Sequence, residues 1–453
     1  MGTILAVAGS IASLLAFYAV IFEFGRRMGR RQAGQVSPAD LAAADAFVRF
    51  RASVDAAAPT DLDVIGYSVH AITAEIVPQI RRSLAAGRIV RILILDPTAD
   101  FISDKAELEH RAARLPVPTF LQRNRRNIDH VAHELQDLAR VVTYQENVAN
   151  VDLRIRLYDA LPVFRGARAG ATLVAASYLD DLTRPSRTFP HLVVTPSSVS
   201  GAERRTLGQF GQWFDYLWTF RSRPHGRHAI LLDLYDTLLR VRPGAREEMQ
   251  RRMAVDLGIE PQALIEEWRK ATRDSNLGVL VDTTARFAAV LERLGVRDSA
   301  KPEHLAAMEH ELLQRELELA PDVLGFLAQA KRRGYRIALV SNCSASVNWT
   351  LRAAGLRGFF DSEVLSFQAG SVKPDREIFQ RALTELGCEP EQAWFVGDGN
   401  NDELPAAAAL AITPIEVTWS TGGRDDATGG WARAGGFRQV AEVIDPEARW
   451  VFG

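Results

Sequence analysis

The sequence predicts an α/β fold class, and two features of the chain favour it. Short apolar runs alternate with longer segments in which apolar residues recur at helical spacing. Two of the apolar runs also end in acidic residues: one leads into Asp233, and the other ends at Gly397, immediately before Asp398. Open α/β sheets bind their ligands at the carboxyl edge of their strands. We therefore expect these acids to lie at the edge of a sheet, where a site can form.

The composition is that of a folded protein with more than one domain. A chain of 453 residues is too long for one ordinary domain, so two or three are expected. Hydrophobic residues make up 47% of it and charged residues 24%, which excludes a disordered chain. A formal net charge of -2 gives no reason to expect a nucleic-acid partner. The two cysteines, Cys343 and Cys388, form neither a disulfide framework nor a cysteine-based zinc site, and they fit a reducing compartment.

The start of the chain predicts a membrane anchor. Residues 3–22 contain no charged side chain and are mostly Ile, Leu, Ala, Val and Phe. A helix of about 20 such residues spans a hydrocarbon core. Four arginines follow within residues 26–31, and positive charge after a span places the following chain in the cytoplasm. We expect a transmembrane helix in residues 1–25 and a basic linker in residues 26–40, with the protein in the cell membrane as a single-pass protein. The alternative is a buried core helix.

Residues 41–222 predict a separate α/β domain. Its expected strands are residues 63–67, 89–95, 151–157, 171–176 and 191–194, and its expected helices include residues 72–85, 105–138 and 208–220.

The order of these elements resembles the phospholipase D-like fold over about residues 45–220. The resemblance depends on the strand that ends in Asp96 and Pro97, the strand that ends in Tyr158, and the terminal helix around Trp218. The catalysis of that family needs a histidine with a lysine two residues later, and none of the nine histidines has one. The resemblance therefore implies a domain for binding, sensing or dimerisation, with a homodimer as the expected partner arrangement. An α/β spacer domain is the alternative.

The second half of the chain combines residues that suit phosphoryl transfer. Asp233 and Asp398 follow apolar runs, and carboxylates of this kind hold Mg²⁺. Between them lie Ser341 and Asn342, at the end of a further apolar run, and Lys373, in a chain where lysine occurs only at positions 105, 270, 301, 331 and 373. An acidic metal site, a hydroxyl donor and a fixed cation are the parts that phosphoryl transfer uses.

In this order and spacing, the motifs resemble those of the haloacid dehalogenase-like (HAD) hydrolase superfamily over about residues 226–450. The resemblance implies a Rossmann-like core with a helical cap and a Mg²⁺ cofactor, in a hydrolase domain of residues 223–453. Asp233 would be the nucleophile that forms an aspartyl-phosphate. The implied metal ligands are Asp233, the backbone carbonyl of Tyr235, Asp398 and, through water, Asp402. Ser341, Asn342 and Lys373 would act on the transferring group, and Thr237 would fix the loop that follows the nucleophile.

One position departs from the pattern of the phosphatases in this superfamily. They usually carry a second aspartate two residues after the nucleophile, which protonates the leaving oxygen. This chain has Tyr235 there, with Asp236 one residue further on. Tyrosine, with an ordinary pKa of about 10, is a weak acid at neutral pH. The sequence leaves open which of the two residues, if either, replaces the usual acid.

Residues 241–320 are expected to form the cap. Apolar residues at helical spacing predict helices over residues 245–257, 261–273, 284–294 and 302–319. Lys270 and Arg273 could reach into the cleft beneath such a cap, although a solvated helix face is the simpler interpretation.

The function that these features favour is a membrane-anchored, Mg²⁺-dependent phosphatase acting on a small phosphate monoester. Two alternatives stay open. A metal-independent 2-haloacid dehalogenase fits Tyr235, because the dehalogenases of the superfamily resemble this segment. A catalytically impaired sensor or scaffold fits the missing acid and the middle domain.

Overall fold

The computed structural model of the chain describes residues 40–41, 43–66, 69–97, 117–148, 151–160, 164–177, 191–197, 201–298, 301–420 and 430–452. The chain divides into two compact units, Met1–His225 and Gly226–Gly453. The predicted anchor in residues 1–25, nearly all of the predicted linker and the start of the predicted helix 105–138 lie outside the described residues. Within those described ranges, no helix has the length and apolar content that crossing a bilayer requires.

The first unit contains an eight-stranded mixed sheet in the order β1-β7-β6-β5-β2-β3-β4-β8. Its strands are Asp40–Leu41 (β1), Leu62–Gly66 (β2), Val90–Leu95 (β3), Leu153–Tyr158 (β4), Phe164–Ala169 (β5), Thr172–Ser177 (β6), His191–Val194 (β7) and Ser222–Pro224 (β8). Its helices are Ala43–Ala56 (α1), His70–Ala85 (α2), Val117–Glu146 (α3) and Gly201–Phe220 (α4). Strands β2, β3 and β4 run parallel, and the remaining pairs in the sheet are antiparallel.

Strand β5 is an element that the sequence pattern did not predict. Its sequence is Phe-Arg-Gly-Ala-Arg-Ala, in which two arginines and a glycine interrupt the alternation of apolar and polar residues. It forms a hairpin with β6 through Gly170, whose φ of 55° suits a tight turn. Arg168 on this strand and Arg91 on β3 both donate to the buried carboxylate of Asp63, which makes these polar positions compatible with the sheet interior.

Asp96, at the carboxyl end of β3, has an ion-pair partner within its own unit. Its carboxylate accepts a hydrogen bond from Arg223 at 2.7 Å, and both side chains are buried. The pair gives Asp96 a structural role at this sheet edge. The phospholipase D-like resemblance of the domain stays a prediction.

The second unit contains a six-stranded parallel sheet in the order β13-β12-β9-β14-β15-β16, together with a two-stranded ribbon of β10 and β11. Its strands are Ala229–Leu232 (β9), Leu239–Val241 (β10), Leu317–Leu319 (β11), Arg336–Ser341 (β12), Ser362–Leu365 (β13), Ala393–Gly397 (β14), Thr413–Val417 (β15) and Ala432–Ala434 (β16). Its helices are Ala245–Leu257 (α5), Pro261–Asn276 (α6), Thr283–Arg293 (α7), Lys301–Arg315 (α8), Val323–Arg332 (α9), Val347–Ala353 (α10), Ser366–Ala369 (α11), Arg376–Leu386 (α12), Glu403–Ala409 (α13) and Phe437–Ile444 (α14).

The three central strands of this sheet deliver the polar residues that the sequence singled out. Strand β9 lies between β12 and β14, and all four of its residues are buried, which explains its uninterrupted apolar sequence. One face of the sheet packs against a core around Phe326 and Phe437, and the other packs against a core around Phe379. Because the strands are parallel, their carboxyl ends meet at one edge, as an α/β core requires.

The cap between β10 and β11 consists of helices α5–α8, which pack around a core that includes Met253, Trp268 and Phe287. The prediction of a last helix over residues 302–319 was wrong at its end. Helix α8 stops at Arg315, and Leu317–Leu319 pairs antiparallel with Leu239–Val241. These residues complete the ribbon that carries the chain into and out of the cap, so strand pairing overrides their helical spacing.

Candidate active site

Asp233 directly follows β9, and both oxygens of its carboxylate are held. Its backbone N–H donates to the carbonyl of Val396 on β14 at 2.9 Å, and the residue is 6% exposed. Oδ1 accepts a hydrogen bond from the ammonium group of Lys373, and Oδ2 accepts one from Thr237 Oγ1 at 3.0 Å. Thr237, expected only to fix the loop, therefore also orients the carboxylate itself.

Lys373 is a buried cation between two carboxylates. Its Nζ donates to Asp233 and, at 2.6 Å, to Glu403 Oε2, and its side chain is 1% exposed. Burial alone would lower the pKa of Lys373, but the charges of Asp233 and Glu403 outweigh burial, so its pKa is raised overall. The ammonium group therefore stays charged at neutral pH and opposes the negative charge of the site.

Asn342 fixes the backbone of Lys373. Its amide Nδ2 donates to the carbonyl of Lys373 at 2.9 Å, and its Oδ1 accepts from the N–H of Lys373 at 2.7 Å. The peptide bond between Lys373 and Pro374 is cis. Two hydrogen bonds thus connect the loop after β12 to the loop that carries the cation, and the expected role of Asn342 becomes one of positioning.

Three carboxylates converge at the ends of β9 and β14. Asp233, Asp398 and Glu403 are buried, and each offers an oxygen that lies within 4.8 Å of the others. Burial, followed by the charge of Asp233, raises the pKa of Asp398 to about 6. Burial also raises the pKa of Glu403 against the opposing effect of Lys373. The protein has concentrated negative charge that one lysine does not balance, and this is the donor chemistry of a hard cation.

Glu403, and not the expected Asp402, joins Asp233 and Asp398 in the group of converging carboxylates. Asp402 is exposed and lies outside the group of converging carboxylates. Asn401 and Asp402 both adopt left-handed backbone conformations in a short turn, with φ of 57° and 52°. Helix α13 then begins at Glu403, which is 1% exposed and accepts from the N–H of Gly399 at 3.2 Å. The turn shifts the inward-facing acid by one residue. In the sequence, the feature that could have indicated this shift is the second acid directly after Asp402.

Ser341 ends β12 and is fully buried. The sheet register pairs Leu339 with Leu232, so Ser341 lies beside the residues that follow β9. Among the described residues, its hydroxyl oxygen has no hydrogen-bond partner. A buried hydroxyl without a partner costs free energy, which a bound ligand atom can recover.

The two candidates for a proton donor differ in their surroundings. The hydroxyl of Tyr235 is 3.1 Å from Thr350 Oγ1, and burial raises the pKa of Tyr235 to about 12. Asp236 has a left-handed conformation with φ of 61°, and burial and then the charge of Asp233 raise the pKa of its carboxyl. Tyr235 is therefore an even weaker acid than free tyrosine, while Asp236 is within electrostatic reach of the nucleophile.

A cavity of about 570 Å³ lies between the cap and this edge of the core. The core lines it with Asn342, Lys373 and Asn401. Cap residues on α5 and α6 form the other wall, including Arg246, Trp268, Arg269 and Arg273. Of the two basic residues considered from the sequence, Arg273 thus lines the cavity. Lys270 is exposed and pairs instead with Glu267 at 2.6 Å.

Comparison with known proteins agrees with this fold. Residues 228–410 match the family model described as haloacid dehalogenase-like hydrolase. Over 183 residues the chain is 33% identical to haloacid dehalogenase-like hydrolase domain-containing protein 3 of Homo sapiens, covering 37% of this chain and 72% of that protein. It is 28% identical to a phosphoserine phosphatase of Thermus thermophilus, covering 47% of this chain and 96% of the relative. It is 27% identical to a glyceraldehyde 3-phosphate phosphatase of Methanopyrus kandleri, covering 42% of this chain and 83% of the relative.

The chain belongs to the haloacid dehalogenase-like hydrolase family through its second unit. The predictions of an α/β core of this type and of a hydrolase are confirmed.

Proposed function

We propose that the second unit is a Mg²⁺-dependent phosphatase that hydrolyses a small phosphate monoester through an aspartyl-phosphate on Asp233. The observation that carries the proposal is the convergence of Asp233, Asp398 and Glu403, the first and last of which also pair with the buried Lys373. Two of the relatives are named phosphatases, which supports the same reaction class.

The residues present fit a magnesium ion. Three carboxylates offer oxygens within 4.8 Å of one another, and the ammonium group of Lys373 pairs with two of them. Burial, followed by the charge of Asp233, raises the pKa of Asp398, and a bound cation would offset that charge. Asp233, Asp398 and the backbone carbonyl of Tyr235 would hold the ion, with Glu403 in the position first expected for Asp402. When bound, Mg²⁺ would offset the negative charge of the phosphate ester, so that an anionic nucleophile can approach it.

The remaining chemistry belongs to the side chains of this chain. A carboxylate oxygen of Asp233 attacks phosphorus, and the bond between phosphorus and the leaving oxygen breaks. Lys373 and the unpartnered hydroxyl of Ser341 donate to the phosphoryl oxygens and stabilise the charge of the transition state. Water then hydrolyses the aspartyl-phosphate, which releases inorganic phosphate and regenerates Asp233.

Protonation of the leaving oxygen is the step for which this site has the poorest catalytic group. Tyr235, with a pKa of about 12 and a hydroxyl occupied by Thr350, is a poor proton donor. We therefore propose that the site favours esters with good leaving groups, unless Asp236 supplies the proton.

A dehalogenase is the second candidate, because Tyr235 matches the dehalogenase-like first motif. The acidic cluster weighs against it, since a metal-independent reaction gains nothing from three buried carboxylates.

Phosphate release from 4-nitrophenyl phosphate by the full chain, with MgCl₂ or with EDTA, separates the two candidates. The proposal predicts turnover only with Mg²⁺ and its loss in Asp233→Asn. Asp402→Asn is the matched control, because this exposed acid lies outside the cluster and its loss should leave most activity. Halide release from a 2-haloacid with EDTA present would instead establish the dehalogenase.

We also propose that residues 1–25 attach the protein to the cell membrane, with the following domains in the cytoplasm. The support is the uncharged run of residues 3–22 and the arginines after it. The full chain should remain in the membrane pellet after alkaline carbonate extraction. Its release into the supernatant would contradict a membrane-spanning segment.

A further inference from the structure

Three arginines of the cap line the cavity beside Lys373. Arg246 is on α5, whereas Arg269 and Arg273 are on α6 and are four residues apart, which places them on the same face of that helix. Trp268, which is buried, supplies an apolar part of the same wall. The cap therefore offers guanidinium groups to a ligand that occupies the cavity beside Lys373.

The charge of the cavity wall is strongly one-sided. Arg246, Arg269, Arg273 and Lys373 are cationic, and Glu247 is the acidic residue among those that line it in the described structure. None of the three arginines forms an ion pair with a described carboxylate. Other cap arginines do: Arg286 pairs with Glu309, for example, and Arg293 with Asp274. Within the described part of the chain, Lys373 is paired with Asp233 and Glu403, whereas these three arginines have no carboxylate as an ion-pair partner.

These arginines are additional to the groups that serve the transferring phosphoryl group. Lys373 and Ser341 are attached to the core beside Asp233, whereas the arginines come from the opposite wall. Guanidinium groups bind carboxylates and phosphates through paired, charge-assisted hydrogen bonds.

We propose that the substrate carries a second anionic group, a carboxylate or a second phosphate, which Arg246, Arg269 and Arg273 bind while its phosphate ester faces Asp233. A short carbon chain between the two groups fits the cavity of about 570 Å³. The inference rests on the proposed phosphatase function and narrows it to a substrate class. It makes the cap arginines residues that determine specificity.

Matched pairs of small esters test the proposal with the full chain and Mg²⁺. One pair is 3-phosphoglycerate and glycerol 3-phosphate, which differ in a carboxylate. The other is propane-1,3-diol bisphosphate and 3-hydroxypropyl phosphate, which differ in a second phosphate. In one pair, we expect kcat/KM to be about tenfold to hundredfold higher for the ester that carries the second anionic group, which corresponds to the free energy of a charge-assisted hydrogen bond. The pair that shows the preference identifies the anion.

Arg269→Gln should reduce that preference about tenfold, mainly through KM. Lys270→Gln is the matched control, because Lys270 is the next residue on α6 and points away from the cavity. Equal kcat/KM within both pairs would overturn the proposal, and so would an unchanged preference in Arg269→Gln.

Hydrolysis of 4-nitrophenyl phosphate separates this proposal from the phosphatase function. If that ester is hydrolysed and neither pair shows a preference, the second-anion proposal fails alone. If that ester is not hydrolysed, the phosphatase proposal fails. The affinities of 3-phosphoglycerate and glycerol 3-phosphate, measured by calorimetry, then test the second-anion proposal. Tighter binding of 3-phosphoglycerate that Arg269→Gln removes would support it, and equal binding would overturn it.

Discussion

Replacing Lys373 with methionine should destabilise the second unit in a way that depends on pH. The substitution keeps most of the side-chain volume and removes the charge that faces Asp233 and Glu403. Breaking a buried ion pair on one side costs about 3–5 kcal/mol, because the remaining charge is left uncompensated. For a unit of this size, each kcal/mol lowers the melting temperature by about 2–4 °C, so a loss of about 6–20 °C is expected at pH 8 without metal.

The loss should be smaller at pH 5. Asp398, with a pKa of about 6, is then mostly protonated, and the raised pKa of Glu403 acts in the same direction, so fewer unpaired charges remain. Scanning calorimetry of the full chain measures the effect on the transition that Mg²⁺ shifts, with exposed Lys270→Met as the control. A loss equal at both pH values, or no larger than that of the control, would refute the assignment of Lys373 as the charge that balances the cluster.

Three further predictions concern the metal and the leaving group. Glu403→Gln should remove most of the activation of 4-nitrophenyl phosphate hydrolysis by Mg²⁺, whereas Asp402→Asn should retain it. If a Mg²⁺ titration shows the larger loss of activation in Asp402→Asn, Asp402 and not Glu403 has the metal role. Without metal, the folded protein binds the proton of Asp398 more tightly than the unfolded chain, so the free energy of unfolding should fall as pH rises from about 3.8 to about 6. Denaturant unfolding of Asp398→Asn should show a smaller decrease over the same pH range. Aryl phosphates should react at least about tenfold faster than alkyl phosphates, since Tyr235 is a poor acid; equal kcat values would show that another group supplies the proton.

The strand-end residues of the site could be predicted because their signal is local. A fully buried strand must be apolar, and the first polar residue after it marks the edge of the sheet, which is how Asp233, Ser341 and Asp398 are recognised. The same reasoning does not extend into a turn. Glu403, and not Asp402, lies in the cluster of carboxylates, and two left-handed residues, Asn401 and Asp402, precede it in the turn. The residue types of this turn do not by themselves predict which acid faces inward.

The residues of the cavity wall were harder to predict, because their position depends on packing between helices. Arg273 was considered, whereas Arg246 and Arg269 were not. Helical spacing shows that α6 has an apolar face, but only the packed cap shows which of its polar residues border the core. The missed β5 and the shortened α8 have a related cause, since pairing with a neighbouring strand outweighs local pattern at both places.

The most direct test of the central claim is to trap the covalent intermediate. The full chain would react with 4-nitrophenyl phosphate and Mg²⁺, be quenched in acid and be reduced with borohydride, which converts an aspartyl-phosphate into homoserine. Mass spectrometry should find homoserine at position 233, with none in samples treated with EDTA. Steady turnover without modification at Asp233, or modification of another carboxylate, would contradict the assignment of the nucleophile.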